Sequence, residues 1–198
     1  MKLVNVVIYD GVDELDFCGP LEALASCRQV VDGKRSETPS FRVETVAARV
    51  GSIQCAHGVS VVAHKSLTQA RAADIVIVPG GPGSRKETLP PSIFEFLQRM
   101  SETADVVASV STGIFILAKA GLCDGRRVTT HHAMTGELAR LYPRLQVVSG
   151  QRVVSDGNDI MSSAGVSAGV DLALALIVRY EGSAAARFVA RRLEWPGY

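Results

Sequence analysis

The chain has almost no excess charge of either sign. Its 21 basic and 20 acidic residues leave a formal charge of +1 over 198 residues. A basic field of the kind that holds nucleic-acid phosphates is therefore missing. Cysteine is scarce too. The 4 cysteines (Cys18, Cys27, Cys55 and Cys123) are irregularly spaced with no C-x-x-C pair. That speaks against a zinc site or a disulfide framework and fits a reducing cytoplasm. No apolar run approaches the roughly 18–20 residues that span a bilayer. The opening M-K-L-V-N-V-V-I is too short for a secretion leader: Asn5 interrupts it and Asp10 follows, so it reads as a first strand. Internal repeats and low-complexity tracts are also lacking. What the chain does have is apolar mass, 47% of its residues. That is enough to bury a core, so disorder is excluded and residues 1–198 read as a single domain.

Apolar strand-like runs alternate with helical patterns. Val4–Tyr9, Phe41–Ala47, Ala73–Val78, Asp105–Val110, Val147–Val154 and Ile160–Ser163 read as strands, the last two flanking a turn at Ser155–Asn158. Pro20–Ala25 reads as the start of a helix, with proline suited to the first turn. Pro91–Met100 carries a helical apolar stripe, and Thr112–Ala120 is a helix stopped by Gly121. Val170–Tyr180 and Ala184–Leu193 are the last two helices. The polar stretch Asp32–Pro39 reads as a loop. Such alternation predicts an α/β sandwich: a mostly parallel sheet, flavodoxin-like, covered by helices on both faces. Ligands of such sheets sit beyond the carboxyl ends of the strands, so residues just after strands are the ones to examine.

The sharpest signal is Ala108-Ser109-Val110-Ser111-Thr112-Gly113. A strand ends, a hydroxyl residue follows, and a helix begins at once between small neighbours. This is the layout of a nucleophile elbow, although a serine there also suits a plain helix N-cap. A literal G-x-S-x-G at Gly165–Gly169 is set aside. All four histidines (His57, His64, His131, His132) precede Ser167, the wrong order for that hydrolase fold, and Ser167 reads as an N-cap. Asp124 and His131 follow Ser111 in Ser-Asp-His order, but Asp124 falls in a turn, and a triad is rejected. Of the acids after the first strand, Asp13 and Glu14 suit a solvated loop. Asp16, between Leu15 and Phe17, is the one placed for burial and for proton work. Pro79-Gly80-Gly81-Pro82-Gly83 lets backbone N–H groups approach a reacting oxygen; it lacks a P-loop ending, so no nucleotide site is implied. One of His131 and His132 is expected to point into the cleft and the other away; the pair alone is no metal site. Arg187, Arg191 and Arg192 read as a solvated basic face.

Together these stretches resemble the ThiJ/PfpI superfamily, which has the class I glutamine amidotransferase-like fold. The matching pieces are Y-D-G-V-D-E-L-D-F-C-G-P-L-E-A-L, I-V-I-V-P-G-G-P-G, V-A-S-V-S-T-G-I-F-I-L-A-K-A-G-L-C-D-G-R-R-V-T-T-H-H and S-S-A-G-V-S-A-G-V-D-L-A-L. They span nearly the whole chain. Within the superfamily the chain is most similar to the isonitrile hydratase-like branch, where the elbow residue is a cysteine in S-V-C-T-G. Here Ser111 holds that position, Thr112 matches, Asp16 is the acid of L-D-x-x-G-P, Gly80 and Gly81 match the glycine loop, and Thr129-Thr130-His131 matches T-T-H. PfpI-type peptidases carry a histidine directly after the elbow cysteine. Thr112 stands there instead, which disfavours a peptidase.

The resemblance implies addition of water to an isonitrile to give an N-substituted formamide. Ser111, Asp16 and Thr112 would be catalytic, while Gly80, Gly81 and His131 would hold substrate or developing charge. No metal or other cofactor is implied. The expected partners are a small-molecule substrate and a second copy of the chain, with no nucleic acid or membrane, in the cytoplasm. Glyoxalase-like or amide-hydrolysing chemistry on the same elbow is a related reading. Serine is the main departure. A cysteine thiol ionises at about 8.5, and lower at an elbow, whereas a serine hydroxyl needs a positioned base. Either Ser111 replaces a cysteine deliberately or the native protein has lost the thiol. The same fold also forms the sensor half of AraC-type regulators, and a sensor needs no thiolate. The chain shows no helix-turn-helix segment of its own, and a chain ending at Tyr198 favours the enzyme slightly.

Overall fold

The computed structural model describes residues 1–157 and 159–196. Asn158, at the end of the expected turn, and Gly197 and Tyr198 lie outside them. In chain order the elements are β1 (Lys2–Val7), α1 (Glu14–Ser26), β2 (Arg28–Val31), β3 (Lys34–Pro39), β4 (Phe41–Ala47), β5 (Ser52–Gln54), β6 (Ser60–Val62), β7 (Lys65–Ser66) and β8 (Ile75–Val78). They continue as α2 (Pro91–Ser101), β9 (Val106–Val110), α3 (Ile114–Lys119), β10 (Arg127–Val128), α4 (Thr135–Leu141), β11 (Gln146–Val147), β12 (Val153–Asp156), β13 (Ile160–Ser163) and α5 (Ala168–Arg192). Short 3₁₀ turns cover Pro82–Arg85, Ser111–Gly113 and His132–Met134.

A seven-stranded sheet runs in the order β12-β13-β9-β8-β1-β4-β7. Every neighbouring pair is parallel except β12 with β13. The central strands β8 (I-V-I-V) and β9 (V-V-A-S-V) are buried along their whole length. Such unbroken apolar runs mark strands covered on both faces rather than one. Helices supply the cover, α1 packing on α5 and α2 on α3. Ile8, Leu24, Ile77, Phe96, Leu117 and Leu172 are among the side chains sealed between the layers. The sheet, its direction and its helical cover agree with the sequence reading.

Three local expectations are corrected. Helix α1 starts at Glu14, so Pro20 lies inside it. Proline removes the N–H that the Asp16 carbonyl would have accepted. The buried Pro20 ring offsets this by packing on the head of α5, where a Cβ built on Gly169 would lie 3.2 Å from Pro20 Cδ. The Asp32–Pro39 stretch is no loop: β2 and β3 pair antiparallel around Asp32-Gly33. Both turn residues have positive φ, 50° and 73°, as a two-residue type I′ hairpin requires. Val147–Val154 is two short strands, β11 and β12, separated by a segment containing Gly150 at φ 77°. Ser167 does occupy the N-cap of α5, yet makes no capping bond. Its Oγ instead accepts from Arg152. The two last helices are seen as expected, with Gly182 (φ 83°, ψ 168°) breaking α5 between them.

Candidate active site

The carboxyl ends of β8 and β9 and the first turn of α1 meet at one point. Strand β9 ends at Val110, and the chain turns at Ser111 with φ 54°. That is left-handed backbone, costly for a residue with a Cβ. The turn closes because Gly113 has no side chain: a Cβ there would run into the carbonyl oxygen of Val78 at the end of β8. The turn after β9 can thus pack directly on the end of β8 and set a single side chain at the sheet's carboxyl edge. The Ser111 residue is 5% exposed, and its hydroxyl makes no hydrogen bond among the described residues. The elbow layout read from the sequence is present.

Asp16 comes to the same place from the first turn of α1. It is fully buried, unlike Asp13 and Glu14. Its Oδ2 accepts from the Gly80 N–H at 2.9 Å, while Oδ1 is buried without a partner among the described residues. Burial drives its pKa up to about 7, assisted by the nearby Asp13 charge and opposed by the Gly80 bond. A carboxyl in this condition is poised between proton donor and acceptor near neutral pH. Glu14 is no solvated bystander. Its carboxylate accepts from the backbone N–H groups of His57 and Val59 and meets His57 Nδ1 at 2.9 Å, clamping that loop to α1.

The glycine loop stands between these groups, but its N–H groups are engaged. Gly80 N–H is bound to Asp16, and Gly81 N–H donates to Thr112 Oγ1 at 2.9 Å. The Gly80 carbonyl accepts from Asp13 N–H at 3.0 Å. Gly81 adopts φ 120°, and a Cβ on it would strike the backbone of Asp13 and Gly11. The loop therefore positions the acid and the elbow instead of offering free donors, a correction to the sequence reading. Thr112 belongs to the same framework. Its Oγ1 also accepts from Ser84 Oγ at 2.9 Å and lies 3.3 Å from the Gly81 carbonyl oxygen, to which it donates.

His131 lies in a neighbouring groove of about 510 Å³, lined by Leu15, Thr129, Thr130, His132 and Val166 among others. Thr130 joins the groove to the elbow, donating from Oγ1 to the Ser111 carbonyl at 2.9 Å. His131 packs on Gly165, where a Cβ would collide with its ring. Burial and the adjacent His132 lower its pKa, so the ring favours the neutral form. The two histidines do not point opposite ways. Their ring centroids are 4.3 Å apart and both line the groove. His132 opens a 3₁₀ turn, so the backbone curls and consecutive side chains do not alternate as on a strand.

Sequence reasoning missed two members of this framework. Tyr9 OH donates to the Pro79 carbonyl at 2.6 Å inside the core, with the Gly80 carbonyl oxygen 3.1 Å away. Ser84 Oγ lies within hydrogen-bond distance of both the Gly81 carbonyl, at 2.7 Å, and Thr112 Oγ1, at 2.9 Å, and its one proton serves one of them at a time. The clue for Ser84 was its place three residues after Gly81, the reach of a hydroxyl bonding back to its own turn. Tyr9 had no such clue, because its partner is 70 residues away.

A parallel sheet with a strained elbow over a buried acid is the architecture of an amidotransferase-like α/β fold. The chain belongs to the DJ-1/PfpI family, whose model matches residues 2–179. It is 29% identical over 193 residues to an isonitrile hydratase of Pseudomonas putida, covering 97% of this chain and 78% of that one. It is 28% identical over 142 residues to the transcriptional regulator CdhR of Pseudomonas aeruginosa, covering 72% of this chain and 41% of the regulator. Among solved structures, a cysteine-to-alanine mutant of a DJ-1 superfamily protein from Salmonella typhimurium is 28% identical. It superposes with a TM-score of 0.82 over 99% of this chain and 100% of that one.

Proposed function

We propose that the protein is an isonitrile hydratase-like enzyme that adds water to an isonitrile to give an N-substituted formamide. The observation that carries this is the Ser111 elbow at φ 54° together with a buried Asp16 that the Gly80–Gly81 loop ties to Thr112, the residue after Ser111, its Oδ1 without a partner among the described residues. The similarity to the Pseudomonas putida hydratase supports the same reading. Ser111 Oγ adds to the terminal isonitrile carbon, and the proton taken up by that carbon gives an N-substituted formimidate. Water then adds across its C=N bond. Loss of Ser111 Oγ with a proton leaves the formamide and restores the hydroxyl. Asp16, with its pKa near 7, carries the proton in both halves. Gly80, Gly81 and Thr112 are positioning residues, and His131 lines the path for the substrate's side group. No metal or organic cofactor takes part in this scheme.

The test is formamide production from a small aryl isonitrile by the protein and by its Ser111→Cys variant. A thiolate is the stronger nucleophile, so the cysteine form is expected to turn over faster. Adding Asp16→Asn to it is expected to abolish the gain. An inert cysteine form that still binds small ligands overturns the enzyme reading in favour of a second one. In that reading the chain is a small-molecule sensor domain, as the hydroxyl in place of a thiol and the similarity to CdhR suggest. In either role we infer a single domain acting in the cytoplasm as a homodimer, the commonest assembly of soluble chains. The exposed Leu15 and Val59, on the two segments that the Glu14 carboxylate links, are apolar side chains available for pairing. Light scattering that returns a monomer at all concentrations excludes the dimer. Consistent with a protein that does not span membranes by helices, no described helix is long and apolar enough to cross a bilayer.

A further inference from the structure

A second cavity, of about 500 Å³, opens at the carboxyl ends of β1 and β4. Ile8, Ile53 and Leu89 are buried side chains in its lining, Asp10, Arg49 and Lys86 are its charged groups, and Thr88 adds a hydroxyl. It shares no lining residue with the groove of His131. Between it and the elbow runs a seam of backbone, where Gly83 N–H donates to the Gly11 carbonyl at 2.9 Å. Glycine is required on both sides, since a Cβ on Gly83 would strike the Asp10 carbonyl and one on Gly11 would lie 3.0 Å from Gly83 N. The cavity is thus a separate chamber at the ligand edge of the sheet.

The charges in this chamber do not balance. Lys86 makes no ion pair or hydrogen bond through its side chain among the described residues. Its ammonium folds back over the seam, 3.8 Å from where a Gly11 Cβ would stand. Arg49 reaches the one carboxylate, Asp10, only at 3.7 Å. Asp10 is already occupied on its other oxygen by the Gln54 N–H at 2.8 Å. Two cations facing one partly engaged carboxylate, over a floor of buried aliphatic side chains, make a place for one negative charge on an apolar body. The volume suits a molecule of modest size. A dianion such as a phosphate ester would meet the Asp10 carboxylate with a whole charge unmatched.

We propose that this chamber is a second ligand site, for a small organic monoanion carrying a carboxylate on an apolar or aromatic body. The head group pairs with Lys86 and Arg49, and the body lies against Ile8, Ile53 and Leu89. The assignment is independent of the chemistry at Ser111.

Benzoate is the probe, and benzamide is its uncharged counterpart of the same shape. Each is titrated into the whole chain while amide and methyl resonances are followed by NMR. Benzoate is expected to give saturable shifts centred on Ile8, Ile53 and Leu89. Benzamide should bind at least about tenfold more weakly, the difference one charge-assisted contact makes. Lys86→Gln with Arg49→Gln is expected to weaken benzoate about tenfold; Lys86 and Arg49 are both surface side chains, so the fold should persist. Three results overturn the proposal. They are no saturable shift up to millimolar benzoate, shifts centred instead on Thr129–His132, and equal binding of benzoate and benzamide. All three are read on the unaltered protein.

Discussion

The backbone N–H of Gly80 donates to Asp16 Oδ2 at 2.9 Å, and among the described residues nothing bonds to Asp16 Oδ1. One short contact therefore ties the loop after β8 to the first turn of α1 and leaves half of a buried carboxyl free. This half-satisfied acid has a thermodynamic consequence. Its pKa rises from the ordinary carboxylate range to about 7 because ionisation inside the fold lacks solvation. The folded state then holds a proton that the unfolded state releases at lower pH.

Stability should accordingly be greatest below the unfolded-state pKa of about 3.9, as far as this group alone decides. It falls as pH rises from there through about 7, and levels off above. Asp16→Asn keeps the shape and removes the charge. The variant is expected to flatten this dependence and to be more stable than the parent at pH 8, by roughly 2–4 kcal/mol. Urea midpoints from pH 4 to 9 check it. Parallel curves for the two proteins would show that Asp16 ionises normally in the fold.

Gly113 is predicted to be the least replaceable small residue of the elbow. A methyl group there would occupy the space of the Val78 carbonyl oxygen, which is backbone in a central strand and cannot swing aside. Gly113→Ala should cost about 2–4 kcal/mol through forced overpacking. Gly136, in α4, has nothing within 4 Å of a built Cβ. Gly136→Ala should leave the fold intact and add about 0.5–1 kcal/mol by restricting the unfolded chain. Thermal melts of the two variants should move in opposite directions.

How much of this was legible in sequence differs from element to element. The sheet was legible because β8 and β9 are short, β-branched and almost wholly apolar runs, the pattern of a strand covered on both faces. Ser111 was legible because a strand and a helix meet there with no room for a loop, and Asp16 because apolar neighbours flank it. The start of α1 was not, since a proline at position 20 argues against the helix that contains it, and only packing against α5 reverses that local cost. The β2–β3 hairpin was hidden for a different reason. Its second strand is polar on both faces, so no alternation reveals it, although Asp32-Gly33 announced the turn. The engagement of the Gly80 and Gly81 N–H groups also lay beyond sequence. Which acceptor reaches a glycine N–H depends on side chains 64 and 31 residues away.

Tyr9 illustrates that long-range layer. Its hydroxyl is the buried donor that holds the Pro79 carbonyl at 2.6 Å, just before the glycine loop. Tyr9→Phe keeps the ring and leaves that carbonyl without its donor. A loss of about 1–3 kcal/mol is expected, the penalty for one unsatisfied buried group. The amides of Gly80 and Gly81 should also exchange faster with solvent deuterium. Unchanged exchange at both glycines would mean that Tyr9 merely fills space.

The strain at Ser111 leads to the last prediction. A serine at φ 54° is in a conformation that glycine adopts freely and β-branched residues resist strongly. Relief of strain in Ser111→Gly is worth about 1 kcal/mol, and the extra backbone freedom of glycine in the unfolded chain offsets roughly 0.5–1 kcal/mol of it. The serine hydroxyl contributes little to the balance, since it makes no hydrogen bond among the described residues. Ser111→Gly should therefore be as stable as the parent or slightly more so. Ser111→Val should lose about 1–3 kcal/mol, because a branched Cβ deepens the strain. Both variants lack a nucleophile, so any formamide-forming activity should vanish from each. A site kept only for stability would not hold a strained serine where glycine is at least as good. Urea unfolding of the three proteins decides the matter, and a glycine variant much less stable than the serine parent would show that the turn stores no strain for use.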